Sequence, residues 1–257
     1  MTTGPRPYPG PGRLSRKGTT MSTPSKMKDK IEKLLIKAER TDNEHERDAY
    51  TAQAQRLMLK WGIDAAELEA RGEAQAEAVV EVHRTWDHPL ATIWVTFTND
   101  VAYGMGQGLK VLRSGARNRH TAYVIGHQTD VENLWTLMDS LERQATAAMK
   151  AWWETSEERT WGLSAFEQYK VKREFIRMFG VAVGQRLRKQ REEVQAEASS
   201  GAALVLVGKD ARVKEWVDNK YKKLRKGRST QQGISGGTAG WSAGQRADLG
   251  NSPKAIS

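Results

Sequence analysis

The chain has 257 residues with a net charge of +10, 38% hydrophobic and 28% charged, enough apolar content for one large domain or two small ones. It contains no cysteine, which excludes disulfide scaffolds, thiolate metal sites, iron–sulfur clusters and thiol catalysis. The longest apolar run is six residues, Ala202 to Val207, far below the roughly 20 that a membrane helix needs.

The charge is unevenly spread. Residues 1–30 carry +6, residues 31–75 carry −3, and residues 201–228 hold nine basic and three acidic residues. Basic ends suit a polyanion, because they release counterions from phosphates. They also suit a merely solvated terminus.

Residues 1–25 are rich in Pro and Gly and read as a disordered segment without a signal-peptide core. A helix follows over about 26–40. Met27, Ile31, Leu34, Leu35 and Ala38 form its stripe, and Ser25 is its candidate cap. A second helix spans about 44–61, with Ala49, Ala52, Leu57, Met58 and Trp61 inward and Gly62 as a stop. Asp64 and Glu67 form a capping box for a short third helix to Ala70. The run from Lys30 to Thr41, continued through Glu44-His45-Glu46 and from Ala54-Gln55-Arg56-Leu57 to Gly62-Ile63-Asp64, resembles the bacterial and phage family called domain of unknown function 2786. Residues Val124-Ile125-Gly126-His127 and Asp130-Val131-Glu132 resemble the second domain that accompanies it. Ala243 to Gly250 resemble the usual ending of such phage and actinobacterial proteins. The family has no established activity, so the resemblance implies an accessory protein of phage or prophage origin and transfers no catalytic residue.

Beyond a polar linker, Val79, Val80 and Val82 mark a strand over 78–86. Pro89 opens a helix to about Tyr103, with Leu90, Ile93, Trp94, Phe97 and Val101 inward, ended by Gly104, Gly106 and Gly108. Strands over 109–113 and 120–125 make a hairpin around a loop from Ser114 to Asn118. Thr129 and Glu132 form a capping box for a long helix to Trp153, and a second long helix covers 164–198. A strand is expected at Ala203–Val207, then a basic helix over 210–226 burying Val213, Trp216, Val217, Tyr221 and Leu224. Gly240, Ala243, Gly244 and Ala247 predict a short tail helix near 238–249, docked on a notch at Gly180 and Gly184 of its own chain or of a neighbour's. A flexible Gly-rich tail is the plain alternative.

The five histidines include no pair at metal-binding helical spacing, so no metal site is assigned. His120 and His127 bracket one strand near Asp130, but a histidine at a strand end usually bonds locally. The Gly104–Gly108 run follows a helix and precedes a strand, the reverse of a dinucleotide fingerprint, and reads as a helix stop. Arg113, Arg117 and Arg119 cluster at the hairpin tip, where they can grip phosphates or simply keep a loop soluble. Lys222, Lys223, Arg225 and Lys226 belong to the basic helix; Lys222, Arg225 and Lys226 fall opposite its apolar stripe.

The element order implies an α+β fold. A small helical hairpin unit (26–71) precedes a small, mostly antiparallel sheet backed by long helices (77–228) and a tail (229–257). The leading functional reading is a non-enzymatic, cytoplasmic protein that contacts DNA or RNA phosphates through Arg113, Arg117, Arg119, Lys222, Lys223, Arg225 and Lys226, with no cofactor and no membrane. Two alternatives stand beside it. One is a protein-interaction module working through the N-terminal helical unit. The other is an enzyme of unrecognised type with a pocket near Gly104–Gly108 and His127. The sequence leaves the oligomeric state open.

Overall fold

The computed structural model describes residues 23–41, 46, 49–50, 53–54, 56–58, 60–62, 69, 72, 75–106, 108–196, 200–225 and 235–247. The fold is α+β. Helix α1 (Thr23–Arg40) starts two residues before the expected cap, so Ser25 lies inside it. Its stripe of Ile31, Leu34 and Leu35 packs on Ala54 and Met58, with Tyr50, Leu57 and Trp61 at the margin. Ala49 is exposed, because Ala54 and Met58, one helical turn apart, set the buried face instead. The capping box at Asp64 and Glu67 and the segment 1–22 lie outside the described residues.

Strand β1 (Val79–Asp87), helix α2 (Ala91–Met105), strands β2 (Leu109–Ala116) and β3 (Arg119–His127) and helix α3 (Gln128–Thr155) follow. The sheet order is β1-β3-β2 and both pairings are antiparallel. Pairing continues to Ala116 opposite Arg119, so the hairpin turn is two residues, Arg117-Asn118, rather than a five-residue loop. Gly115 permits this extension. Its φ is +134°, and a Cβ there would stand 2.6 Å from the His120 Cα. Arg117 itself takes a φ of +54°.

Strand alternation sends Trp86, Ala122 and Val124 to one face, where α2 and α3 cover them with Trp94, Phe97, Leu134, Trp135 and Met138. Arg84 fastens β1 to α3. It pairs with Asp139 at 2.8 Å and Glu142 at 3.1 Å, and lies 4.4 Å from the Trp135 ring centroid. The expected Thr129 cap is not made. The Thr129 hydroxyl instead donates to Glu77 Oε1 at 2.6 Å and its N–H to Oε2 at 3.2 Å. A carboxylate from outside the helix therefore satisfies the orphan donors at the start of α3. A true capping box opens the next helix, α4 (Ala165–Ala196), where Glu167 accepts from the Ser164 N–H at 2.9 Å.

The predicted strand at Ala203–Val207 is helical. It is the first part of α5 (Ser200–Lys220). A short apolar run does not by itself separate strand from buried helix. Here it continues into a helix whose Val213 and Val217 pack on Ile125, on the second face of the sheet. The helix stops at Lys220, so Lys222, Lys223 and Arg225 lie in irregular backbone beyond it, and Leu224 is exposed rather than buried.

The tail does form a helix, α6 (Gly237–Arg246), and it docks on α4 of its own chain. The docking face differs from the predicted one. A Cβ on Gly180 would lie 2.7 Å from the Phe97 ring, and one on Gly184 would lie 2.5 Å from the Asp100 carbonyl oxygen. That notch is therefore filled by α2. The tail brings its own small residues: a Cβ on Gly240 would strike the Phe175 carbonyl, and one on Gly244 would lie 2.6 Å from the Phe179 carbonyl oxygen. Arg186 locks the end of α6 by donating to the carbonyls of Gly244 and Ala247.

Three substitutions test the stability side of this packing. Gly244→Leu should lose about 1–3 kcal/mol in denaturant unfolding, because backbone cannot yield to the added side chain. Gly208→Ala, whose Cβ would meet only Arg212 Nη1 at 3.7 Å within α5, should gain up to about 1 kcal/mol. Asp100 lies at the α2–α4 crossing, and burial raises its carboxyl from 3.8 to about 6 against the weaker pull of Arg177 and Asn99. The folded chain then holds more protons than the unfolded one between these two values. Stability therefore falls as pH rises through about 4 to 6. Asp100→Asn should recover about 1–2 kcal/mol at pH 7 and almost nothing at pH 4, read from paired denaturant titrations.

Candidate nucleic-acid interface

Helix α5 covers only the part of the second sheet face next to Val79, Leu112 and Ile125. The register continues that face toward the hairpin tip through His83, Thr85, Thr121 and Tyr123. His83 and Thr85 are exposed, and Thr121 and Tyr123 are half-buried. The imidazole of His83 and the phenol ring of Tyr123 lie side by side, 5.6 Å between centroids at 37°. The hydroxyls of Thr85 and Thr121 bond at 2.8 Å, and Ser114 Oγ donates to Tyr123 Oη at 3.3 Å. The result is an open strip of sheet bearing two ring faces and several hydroxyls.

The chain leaving α5 is pinned across this strip. Tyr221 donates to Glu81 Oε2 at 2.5 Å, and Lys220 Nζ pairs with Glu81 Oε1 at 3.1 Å. Holding its proton toward Glu81 pushes the Tyr221 phenol up to about 12, with burial and the nearby Tyr123 acting in the same direction. Leu224 then shares a groove with Val111 and Leu112. The segment therefore leaves Glu81 of β1, at the level of Ile125, and reaches the β2 edge at Leu224. It brings the exposed Lys222, Lys223 and Arg225 to one border of the strip.

Arg117 and Arg119 stand at the other border. Residues 119 to 123 span about 13 Å along the strand. Arg119 faces the same side as Tyr123 and meets Asp87 at 3.4 Å, both side chains being well exposed. Such a pair contributes about 0–1 kcal/mol, so the guanidinium is readily exchanged to a phosphate. Arg113 is brought to the opposite face, because it pairs with Ala122 on the helix-covered side. Lys226 lies outside the described residues. Of the seven basic residues read from the sequence, Arg117, Arg119, Lys222, Lys223 and Arg225 thus frame one surface. His83, Tyr123 and Tyr221 were missed. Alternation in β3 does place Tyr123 with Ile125, but its neighbour across the strand depends on register.

His120 and His127 occupy opposite ends of β3, about 23 Å apart by strand geometry, and cannot share a metal. His120 Nε2 meets the Arg117 carbonyl at 2.9 Å, and His127 Nδ1 meets that of Glu77 at 2.9 Å. Among the described residues, no group of three or more His, Asp or Glu side chains could hold a metal ion. The Gly104–Gly108 run ends α2 as the spacing implied. Gly106 caps the helix and Gly108 turns at φ +88°, its N–H donating to Asp210 Oδ1 at 3.3 Å. Among the described helices, none is long and apolar enough to cross a membrane.

Residues 26–65 match the model of a family described as Protein of unknown function (DUF2786), in line with the resemblance read from the N-terminal residues. No curated protein and no solved structure matches the chain.

Proposed function

We propose that this chain is a non-enzymatic nucleic-acid-binding protein that takes single strands across the open half of its sheet. In this reading bases stack on Tyr123 and His83, while Arg117, Arg119, Lys222, Lys223 and Arg225 hold phosphates on either side. The observation that carries it is the ring pair at 5.6 Å, His83 exposed and Tyr123 half-buried, framed by two basic borders. Every base has a ring face, so stacking platforms bind strands with little regard to sequence. No recognised base-reading motif stands beside the platform, which fits sequence-neutral contact. The same reading takes its setting from the sequence resemblance: an accessory protein of phage or prophage origin, acting in the bacterial cytoplasm.

The test is fluorescence anisotropy with labelled poly-thymidine, duplex DNA and RNA from about 50 to 200 mM salt. Tyr123→Ala should weaken single-strand binding by about tenfold or more with the salt slope unchanged, since stacking is not an ionic contact. The double variant Lys222→Gln with Lys223→Gln should lower the slope by about 1.4 for single strands. Arg113→Gln should behave as the unmodified chain. Absence of binding at the low-salt end, or equal affinity after Tyr123→Ala, would overturn the proposal and favour a protein partner of the N-terminal helical unit.

A further inference from the structure

A second feature lies on the far side of the molecule from the hairpin tip. The ends of α2, β2, α3, α4 and α5 converge there with Met58 of the N-terminal unit around a cavity of about 70 Å³. That is room for roughly five water-sized positions, or a molecule of about six non-hydrogen atoms. Most of its wall is apolar, contributed by residues such as Met105, Leu137 and Leu206. Five polar side chains also reach it: Asp130, Asn133, Arg191, Gln195 and Lys209.

Their chemistry is unbalanced. Lys209 is 4% exposed and its ammonium is 3.4 Å from Asp130 Oδ2, so these two charges answer each other. Arg191 has no such answer at the cavity. Its Nη1 donates to the Tyr103 carbonyl at 3.1 Å, and its buried Nε has no hydrogen-bond partner. Burial pulls the Arg191 pKa below its ordinary value, against the opposing charge of Glu192. Asn133 is 7% exposed and lines the same wall. A buried guanidinium N–H without a partner is costly in an apolar wall. That cost falls if an anion with acceptor oxygens occupies the space. Arg191 and Gly106 also line the open groove outside, so they form the partition between the cavity and solvent.

The geometry points to a binding site for a small aliphatic carboxylate: its oxygens accept from Arg191 and Asn133, and its short alkyl tail lies among Met105, Leu137 and Leu206. Asp130 stays with Lys209 and supplies the repulsion that fixes the carboxylate at the Arg191 end. This site is separate from the sheet platform and does not depend on the nucleic-acid reading.

The experiment uses the full chain with sodium butyrate as probe, followed by titration calorimetry and by methyl NMR shifts of Leu137 and Leu187. Sodium chloride and butylammonium chloride serve as comparison arms. Saturable butyrate binding is expected, with methyl shifts at the cavity. Arg191→Met should weaken it at least tenfold, and Asn133→Leu, close in size and folded by circular dichroism, should weaken it severalfold. Four outcomes would overturn the inference: no butyrate binding, the same methyl shifts with chloride alone, preference for butylammonium, or butyrate affinity unchanged in Asn133→Leu.

Discussion

Helix α4 is approached at backbone distance from two sides, and the arrangement of the rest follows from that. On one side Gly180 and Gly184 admit α2, with Gly104 so close that a Cβ there would strike the Gly184 carbonyl. On the other, Gly240 and Gly244 let α6 lie against Phe175, Phe179 and Ala182. Neither crossing tolerates a side chain, because main chain that cannot rotate away opposes Gly104, Gly184, Gly240 and Gly244, and the packed Phe97 ring opposes Gly180. The α2 crossing fixes where α2 ends, and so where Gly106–Gly108 turns and β2 begins. The sheet and the cavity beside that turn inherit their positions from it.

The sheet has two faces and only one is fully used. The helix side is a continuous core that runs from Trp86 through Phe97 and Met138 to Phe179. On the other side, α5 reaches as far as Val79, Leu112 and Ile125, and the Glu81 carboxylate anchors its end through Lys220 and Tyr221. A polar anchor at that point does two things. It stops the helix from advancing over Tyr123, and it turns the next three basic residues along the border of the open strip. Coverage by half a helix leaves ring faces and hydroxyls available, which an ordinary packed sheet would bury.

The sequence carried the elements further than their partners. Period and β-branching located α2, α3, α4 and all three strands within a few residues, since each signal is local. The small residues of the tail foretold a close helix contact, correctly in kind. They could not say which face of α4 would receive it, because Gly180 and Gly184 serve α2 equally well. Ala202–Val207 misled for a related reason. Six apolar residues fit a strand or a buried helix, and only the absence of a sheet edge beside them decides. At the candidate interface the basic residues were legible as charge, but Arg113 parts from Arg119 by strand parity. The His83–Tyr123 pair rests on a register between residues 40 apart. The partner of Thr129 illustrates the same limit: Glu77, not Glu132, satisfies it, and nothing local distinguishes the two.

The uncovered half of the sheet is the surface proposed to bind nucleic acid. Backbone NMR of the full chain titrated with a short oligothymidine addresses it most directly, because it reports location rather than affinity. Saturating shifts are expected at His83, Thr85, Thr121 and Tyr123 and along Lys222–Arg225, with Arg113 and the α4–α6 side unmoved. Shifts concentrated on the helix-covered side, or no shifts at all at millimolar oligonucleotide, would contradict it.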